Sequence, residues 1–349
     1  MKKKVAVVLF NLGGPDTLSA VKPFLFNLFY DPAIISAPRP LRYLLAKFIS
    51  TKREKTAREI YSYLGGRSPI LELTKLQAKQ LEKMLEKEND DYKVFVSMRY
   101  WRPLAQETLK EVINWAPDES ILLPLYPQYS STTSGSSLYS WKKATEKQSF
   151  SIPTKTICCY PENEKFIIAH VKSIKKILTE VKIKHNDLSN TILLFSAHGL
   201  PEKIIKSGDP YQVQVESTVK AIVAKIDDKT LRYIICYQSK VGPFKWIEPS
   251  TEEEIIKASK DKQNIIIVPI AFVGEHSETL VELDMEYKVM AKNHGCLDYY
   301  RVSALGTNVD FIEALCDLVK DENTNKSNIL SKKTCPKDLK KCFYNVREN

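Results

Sequence analysis

The chain has 349 residues, of which 43% are hydrophobic, and a formal net charge of +10. This hydrophobic content excludes disorder for the bulk of the chain, and the length allows two domains of ordinary size. No apolar run reaches the roughly 18 residues of a membrane-spanning helix. The basic excess is compatible with a nucleic acid, an anionic membrane surface or an anionic substrate, but no motif that reads RNA or DNA is present.

The chain starts with "MKKKVAVVLFNLGGP", a basic head followed by an apolar stretch. This resembles a secretory signal, but the apolar stretch is short and runs into Asn-Leu-Gly-Gly-Pro, which is typical of a turn. We therefore expect the first strand of a folded domain here.

Short β-branched runs alternate with longer amphipathic segments along the chain, which indicates parallel sheets covered on both faces. The predicted strands are 4–11, 92–100, 120–129, 154–160, 190–198, 231–239, 264–273 and 299–305. The predicted helices are 70–88, 104–114, 162–184, 210–226, 250–260 and 278–292. We expect an α/β protein with two similar doubly wound, Rossmann-like domains that meet near residue 160. In such folds the functional site lies at the carboxyl ends of the strands.

Residues 24–53 break this alternation, because they are rich in Phe, Leu, Tyr and Ile, with prolines in the middle and basic residues at the end. They are either ordinary helices packed on the sheet or an apolar lip. Such a lip could receive a flat hydrophobic ligand or rest on a membrane with its basic residues at the headgroups.

The segment 271–287, "AFVGEHSETLVELDMEY", places a His and several carboxylates directly after a buried strand. In a helix that begins near Ser277, Glu278, Glu282 and Glu286 form one stripe. Like charges at this spacing repel one another. A solvated helix face is the simple explanation, but His276 and the position at a strand end favour a path for a divalent cation or protons.

His198, in "LLFSAHGLPEK", also ends a predicted buried strand. Imidazole with carboxylate suits Fe(II), Mn or Zn, and so small a ligand set favours a metal in transit over a closed structural site.

Arg, Lys, Ser and aromatic residues cluster in "IYSYLGGRSPI", "MRYWRPL", "LYPQYSSTTSGSS" and "CYQSKVGPFKW". This mixture is typical of a site for a flat ring that bears anionic groups. The run "SSTTSGSS" resembles a phosphate-binding loop, but it lacks both the lysine and the glycine spacing of one.

The sequence resembles the ferrochelatase family, whose members insert ferrous iron into a porphyrin. The resemblance covers nearly the whole chain and rests on "NLGGPDTL", "GGRSPI", "MRYWRPL", "YPQYS", "FSAHGLP", "GDPY", "QSKVGP" and "PIAFVGEHSETLVELDMEY", in the family's order. It implies the chelatase fold, with four-stranded parallel sheets and a cleft between two domains. The expected parts are an N-terminal domain over 1–160, a metal-binding domain over 161–306, and a helix and basic tail over 307–349 that return to the first domain.

The resemblance also implies roles for particular residues. His198 and Glu278 correspond to residues that contact iron, His276 lies beside them as a third catalytic residue, and Glu282 and Glu286 continue a relay for protons or metal. The expected porphyrin-binding residues are Arg53, Tyr61, Ser68, Arg99, Tyr100, Tyr126, Gln238, Ser239, Lys240, Trp246 and Phe272. A neutral His can accept one of the two pyrrole protons that the ring must lose, because its unperturbed pKa lies near 6.5.

Some members of the family carry a 2Fe–2S cluster on cysteines, mostly near the C-terminus. Here the tail offers Cys335 and Cys342, Ser131 stands where some members have a ligand, and Cys158 or Cys159 could extend the set. Four thiolate ligands are not evident, so we expect thiols in a reduced cytoplasm instead.

Two alternatives remain at this stage. A chelatase for another metal or tetrapyrrole shares the fold, but such enzymes are often shorter and lack a lip like 24–53. A non-catalytic haem or iron carrier needs closed ligation and no carboxylate relay, so the stripe at 278–286 argues against it. The sequence mildly favours protoporphyrin IX over coproporphyrin III, because the lip is hydrophobic. The sequence also allows peripheral contact with an anionic membrane, and it does not indicate an oligomeric state.

Overall fold

The computed structural model describes residues 2–240, 242, 244–320, 335, 336 and 338–343. The chain divides into two compact units. Among the described residues, unit 1 contains 2–159 and 315–320, and unit 2 contains 160–314 together with those between 335 and 343.

Unit 1 is built on a four-stranded parallel sheet with the strand order β2-β1-β3-β4. Its elements are β1 (Lys4–Asn11), a 3-10 turn (Leu18–Ala20), α1 (Val21–Phe29), α2 (Arg39–Tyr63), α3 (Ile70–Leu85), β2 (Asp91–Met98), α4 (Ala105–Trp115), β3 (Glu119–Pro124), α5 (Ser134–Lys147) and β4 (Thr154–Thr156). Alternate residues of β1 (Ala6, Val8 and Phe10) pack on buried side chains of α4 and α5 such as Leu109 and Trp141. This alternation follows from the two-residue period of a strand.

Unit 2 repeats the arrangement with the order β6-β5-β7-β8, again all parallel. Its elements are α6 (Glu164–His185), β5 (Thr191–His198), α7 (Glu202–Lys206), α8 (Tyr211–Ile226), β6 (Arg232–Gln238), α9 (Thr251–Lys260), β7 (Asn264–Pro269), a π-helix (Glu278–Glu286), α10 (Tyr287–Asn293) and β8 (Asp298–Arg301). The run Ile265–Val268 is fully buried. Such a continuous apolar run is expected when helices cover both faces of a parallel sheet.

The predicted fold class, an α/β protein with two four-stranded parallel sheets, is therefore confirmed. Several strands end earlier than their sequence patterns indicate. β2 ends at Met98, β3 at Pro124 and β7 at Pro269, so the aromatic and charged residues that follow lie in loops at the strand ends.

The last described helix, α11 (Val309–Lys320), crosses the division between the units. Within unit 2, Phe311 packs against Phe166 with ring centroids 6.3 Å apart. Within unit 1, Lys320 forms a 2.9 Å salt bridge with Glu88. The sequence predicts that 307–349 return to the first domain. The end of α11 groups with unit 1, whereas the described residues from 335 to 343 group with unit 2.

The segment 24–53, predicted to be either packed helices or an apolar lip, contains both buried and exposed apolar residues. Phe24 and Leu25 are buried in a core cluster, as ordinary packing requires. Leu41, Leu44 and Phe48 of α2 are instead 51%, 62% and 65% exposed, and their spacing places them on one helix face. Among the described residues, no helix is both long and apolar enough to cross a membrane.

Candidate active site

The carboxyl ends of β5, β6 and β7 lie side by side in unit 2. His198, the last residue of β5, pairs in register with Gln238 at the end of β6. Ser196, two residues earlier, pairs with Pro269 at the end of β7. The loops that leave these three strands therefore start at one edge of the sheet.

His198 and Glu278 form a hydrogen-bonded ion pair at this edge, with Nδ1 of the imidazole 2.9 Å from Oε2 of the carboxylate. Burial disfavours the charge on His198, but Glu278, with a smaller contribution from Glu282, outweighs this effect and raises the pKa of the imidazole. Burial likewise opposes ionisation of Glu278, but the charge and the hydrogen bond of His198 hold the pKa of this carboxyl well below its usual range. The bond at Nδ1 leaves Nε2 as the nitrogen of His198 that can bind a metal or accept a proton.

His276 is buried in the loop between β7 and the π-helix, where one local bond holds its backbone and another holds its ring. Its backbone N–H donates to Thr279 Oγ1 at 3.0 Å, and its Nδ1 accepts from the backbone N–H of Glu278 at 3.0 Å. An accepting Nδ1 places the proton of the neutral ring on Nε2. That Nε2 is buried and has no hydrogen-bond partner among the described residues. Burial lowers the pKa of His276 despite the nearby carboxylates, so the ring is a neutral donor.

Glu282 is held by three donors. Ser239 Oγ and Gln238 Nε2 donate to its Oε2 at 2.6 and 3.3 Å, and the Tyr287 hydroxyl donates to Oε1 at 2.8 Å. Burial, and then the charge of Glu278, nevertheless raise the pKa of Glu282 above its ordinary value. Gln238 and Ser239, which the sequence assigns to porphyrin binding, thus contact a carboxylate of the predicted relay.

The acidic stripe starts on a π-helix, whereas the sequence pattern predicts an ordinary helix over 278–292. A π-helix has i→i+5 hydrogen bonds and is rare, and π-type distortions occur often at functional sites. Its wider turn changes the angular spacing of the carboxylates. Glu278 and Glu282 are partly buried and Glu286 is exposed, so the stripe leads from the His198 pair to solvent.

Sequence reasoning missed a partly buried arginine beside this stripe. Arg301, at the end of β8, forms paired hydrogen bonds with both Asp284 and Glu275. The sequence signal for this residue was an arginine at the end of β8, the strand that lies next to β7 in the sheet.

The strand ends of unit 1 hold a different polar cluster. The buried carboxylate of Asp31 accepts from Arg99 Nη2 and the Tyr100 hydroxyl, each at 2.8 Å, and from the Ser136 hydroxyl. Arg99 Nε also donates to Ser136 at 2.6 Å, and its guanidinium lies over the Tyr100 ring, 4.9 Å from the centroid. Asp31 and Ser136 are further residues that sequence reasoning missed.

The other predicted porphyrin residues of unit 1 differ in exposure. Arg53 is exposed, with its guanidinium 5.9 Å from the centroid of the Phe29 ring. Tyr61 is buried in the core cluster that includes α1. Ser68 is buried, and its hydroxyl accepts the N–H at the start of α3 at 3.4 Å. Tyr126 lies in the loop after β3, and burial raises the pKa of its hydroxyl.

Three predicted porphyrin residues of unit 2 remain. Lys240 is exposed, directly after Ser239. Phe272 packs edge-on against His276, with ring centroids 4.4 Å apart. Trp246 packs over Gly199, where an added Cβ would lie 3.2 Å from the indole and 2.9 Å from a backbone oxygen. A larger residue at Gly199 would therefore displace this aromatic wall beside His198.

The candidate cluster cysteines are all buried. Cys158 and Cys159 belong to unit 1, whereas Cys335 and Cys342 belong to unit 2. The amide of Gln214 donates to the Cys335 sulfur at 2.9 Å. In the part of the chain that the structure describes, no three His, Cys, Asp or Glu side chains have the spacing of a metal site.

Comparison with known proteins decides the family. The family model named Ferrochelatase matches residues 4–323. The chain belongs to the ferrochelatase family. It is 54% identical over 344 residues to a ferrochelatase of Pelagibacter ubique, covering 97% of this chain and 98% of the relative. It is 50% identical over 349 residues to a ferrochelatase of Rickettsia bellii, covering 98% and 95%.

The chain is therefore a lyase of haem biosynthesis that inserts Fe(II) into a porphyrin, with ferrous iron and the porphyrin as substrates. Among solved structures, "SirB from Bacillus subtilis with Fe3+" matches with a TM-score of 0.52 and 12% identity, covering 94% of this chain and all of that one. At this identity the match supports the fold alone, which is that of a chelatase.

Proposed function

We propose that Glu278 is a ligand of Fe(II) and that His198 is either a second ligand or the base that accepts one of the two pyrrole protons. The observation that carries this proposal is the hydrogen-bonded pair of these side chains at the carboxyl ends of the strands. Imidazole nitrogen and carboxylate oxygen are ligands suited to Fe(II). In the pair, His198 carries a proton that it must lose before its ring can bind metal or act as a base.

The reaction releases two protons for each Fe(II) inserted, so the site needs more than one proton acceptor. Glu282 is the second acceptor in this proposal, because its raised pKa lets it hold a proton closer to neutral pH than an ordinary carboxylate. The exposed Glu286 then passes protons to solvent, and the same path brings the metal in. His276 has a different role, since its Nε2–H can only donate while Nδ1 accepts from the backbone.

The porphyrin contacts are proposed on the basis of residue chemistry. Tyr126, Trp246 and Phe272 are partly exposed and offer aromatic surface to a flat ring. Tyr61 and Tyr100 are buried and would support such a surface from behind.

The cations differ in how well they suit the ring carboxylates. Arg53 and Lys240 are exposed, whereas Arg99 already shares its charge with Asp31. We assign Arg53 and Lys240, with Ser68, to the carboxylates and Arg99 to the support of the pocket wall. Gln238 and Ser239 act mainly by holding Glu282.

Protoporphyrin IX is the proposed porphyrin substrate.

The face of α2 formed by Leu41, Leu44 and Phe48 is the proposed membrane contact. These large apolar side chains are exposed and neighbour basic residues such as Lys47 and Arg53, which suit anionic headgroups. This favours a cytoplasmic protein that touches the inner face of the membrane at its periphery.

A 2Fe–2S cluster is not part of the proposal. The sequence does not make a set of four thiolate ligands evident from Cys335, Cys342 and Cys158 or Cys159, so the proposed assignment is reduced thiols. Metal-free and haem-free protein that is colourless in the visible range would agree with this assignment. Broad visible absorbance that disappears on reduction would establish a cluster.

The test of the site is anaerobic metal insertion by purified protein, followed by the porphyrin spectrum. Fe(II) or Zn(II) is offered with protoporphyrin IX or coproporphyrin III, and we expect faster turnover of the former. His198→Ala should lose most of the activity. The matched control is His294→Ala, which removes an exposed imidazole of the same unit and should leave activity unchanged. Retention of most activity by His198→Ala would rule out its role as base or ligand.

A further inference from the structure

Arg301 joins the strand β8 to two points on the segment that carries Glu278. Its Nε and Nη2 donate to the two oxygens of Asp284 at 2.6 and 2.7 Å. Its Nη1 donates to the two oxygens of Glu275 at 2.9 and 3.1 Å. The Arg301 side chain is only 10% exposed, so solvent does little to weaken these bonds.

The two points enclose the proposed metal ligand in the sequence. Glu275 lies three residues before Glu278, in the loop after β7, and Asp284 lies six residues after it, within the π-helix. Glu275 also accepts the backbone N–H of Ala304 at 2.9 Å. The strand thus holds both ends of the segment on which Glu278 sits.

A second bond from the same strand reaches the π-helix. The Tyr299 hydroxyl donates to the backbone carbonyl of Leu283 at 2.6 Å. A π-helix is a rare conformation, and this bond and the Arg301 contacts with Asp284 tie it to the neighbouring strand.

We propose that Arg301 is a positioning residue that fixes Glu278 for Fe(II) binding by clamping Glu275 and Asp284 to the end of β8. This inference rests on the proposed role of Glu278 as a metal ligand. Arg301 itself touches neither metal nor porphyrin in this proposal. Its effect is on the geometry and hence on the affinity for Fe(II).

The choice of arginine supports a positioning role. A buried ion network is often no more stabilising than apolar side chains of similar volume, so stability alone does not account for one. A guanidinium has a rigid planar fork that can engage two carboxylates at once in fixed directions, whereas an ammonium acts as a point charge. Lysine at this position would keep the charge but lose one of the two paired contacts.

The test compares Arg301→Lys and Asp284→Asn with the unaltered chain in the anaerobic insertion assay. Each variant should raise the KM for Fe(II) about 10–100-fold, as is typical when a residue that orients a metal ligand is lost. The KM for the porphyrin should stay within about twofold. Asp284→Asn keeps the Arg301–Glu275 contact and so remains informative if Arg301→Lys folds poorly.

The matched control is Asp298→Asn. Asp298 lies at the other end of β8, where it forms salt bridges with Lys184 and His185. The change removes comparable ion pairs of the same strand away from the π-helix, and it should leave both KM values unchanged.

A double-variant comparison separates this inference from the metal-ligand assignment. If Arg301 acts through Glu278, the effect of Arg301→Lys on the KM for Fe(II) should disappear in a Glu278→Gln background. An unchanged KM for Fe(II) in Arg301→Lys and Asp284→Asn, with only a lower melting temperature, would reduce Arg301 to a structural role. An effect that persists in the Glu278→Gln background would also overturn the inference. A Glu278→Gln variant with the normal KM for Fe(II) would overturn the metal-ligand assignment and this inference together.

Discussion

The two sheets share one topology but place different chemistry at their carboxyl ends. The order β2-β1-β3-β4 in unit 1 matches β6-β5-β7-β8 in unit 2, strand for strand. The ends in unit 2 carry imidazoles and carboxylates, centred on His198 and Glu278, which can exchange protons and bind a cation. The ends in unit 1 carry Arg99, Tyr100 and hydroxyl groups around one buried carboxylate, Asp31. The backbone plan therefore fixes where a site can form, and the side chains at the strand ends decide its chemistry.

The comparison predicts that the carboxylates of the two units fail in different ways when they are changed. Glu278→Gln should lower kcat about 10²–10⁴-fold, the range typical of lost acid–base groups. Its loss of stability should be smaller than that of Asp31→Asn, because the His198–Glu278 pair is partly exposed whereas the Asp31 carboxylate is buried. Steady-state insertion of Zn(II) into protoporphyrin, with thermal unfolding in parallel, measures both. Glu253→Gln, which removes an exposed carboxylate of α9 in the same unit, is the control and should retain most of the activity. If unfolding of the Glu278→Gln protein accounted for all of its lost activity, Glu278 would belong with the structural carboxylates.

Asp31→Asn should instead lower stability more than activity, because Asp31 neutralises Arg99 inside unit 1. Loss of one partner from a buried ion pair costs about 3–5 kcal/mol. Denaturant unfolding should show this decrease in the free energy of unfolding, whereas Asp310→Asn, which removes a salt bridge to the exposed Lys172, should cost about 0–1 kcal/mol. An Asp31→Asn protein of normal stability would contradict the structural role of this cluster.

The pKa of His198 tests whether its pair with Glu278 exists in the metal-free protein. The unaltered chain should show a pKa above 6.5, because the carboxylate stabilises the imidazolium more than burial disfavours it. In Glu278→Gln that attraction is lost and burial remains, so the pKa should fall below 6.5. Histidine NMR titration measures both values.

The raised pKa of His198 also determines how the free energy of unfolding depends on pH. The His198 contribution to the free energy of unfolding is fully present below the unfolded-state pKa near 6.5, and it is lost as the pH rises through the higher folded-state value. Equal His198 pKa values in the two proteins would show that the pair is absent in solution.

The smallest expected effect concerns the exposed face of α2. Leu44→Ser with Phe48→Ser should weaken binding to anionic liposomes several-fold, since each change removes exposed apolar surface. Insertion activity in detergent should stay unchanged. Sedimentation with liposomes measures binding, and Ile183→Ser, at an exposed apolar residue of unit 2, is the control. If liposome binding changed neither with Leu44→Ser and Phe48→Ser nor with salt, this face of α2 would not be the membrane contact.

The sequence alone determined the strands and the motifs of the family. These features are local or periodic: a buried parallel strand needs a continuous apolar run, and turn residues end it. His198 and Glu278 could be singled out for the same reason, because each follows a recognisable buried strand.

Tertiary packing decided the details that give the site its chemistry. The π-helix, the donors on Glu282 and the clamp at Arg301 join residues that are far apart in sequence, and no local pattern encodes such partners. The proton of His276 sits on Nε2 because the loop directs a backbone N–H to Nδ1. Sequence periodicity specifies which face of an element is buried, but only the folded chain specifies which polar groups meet there.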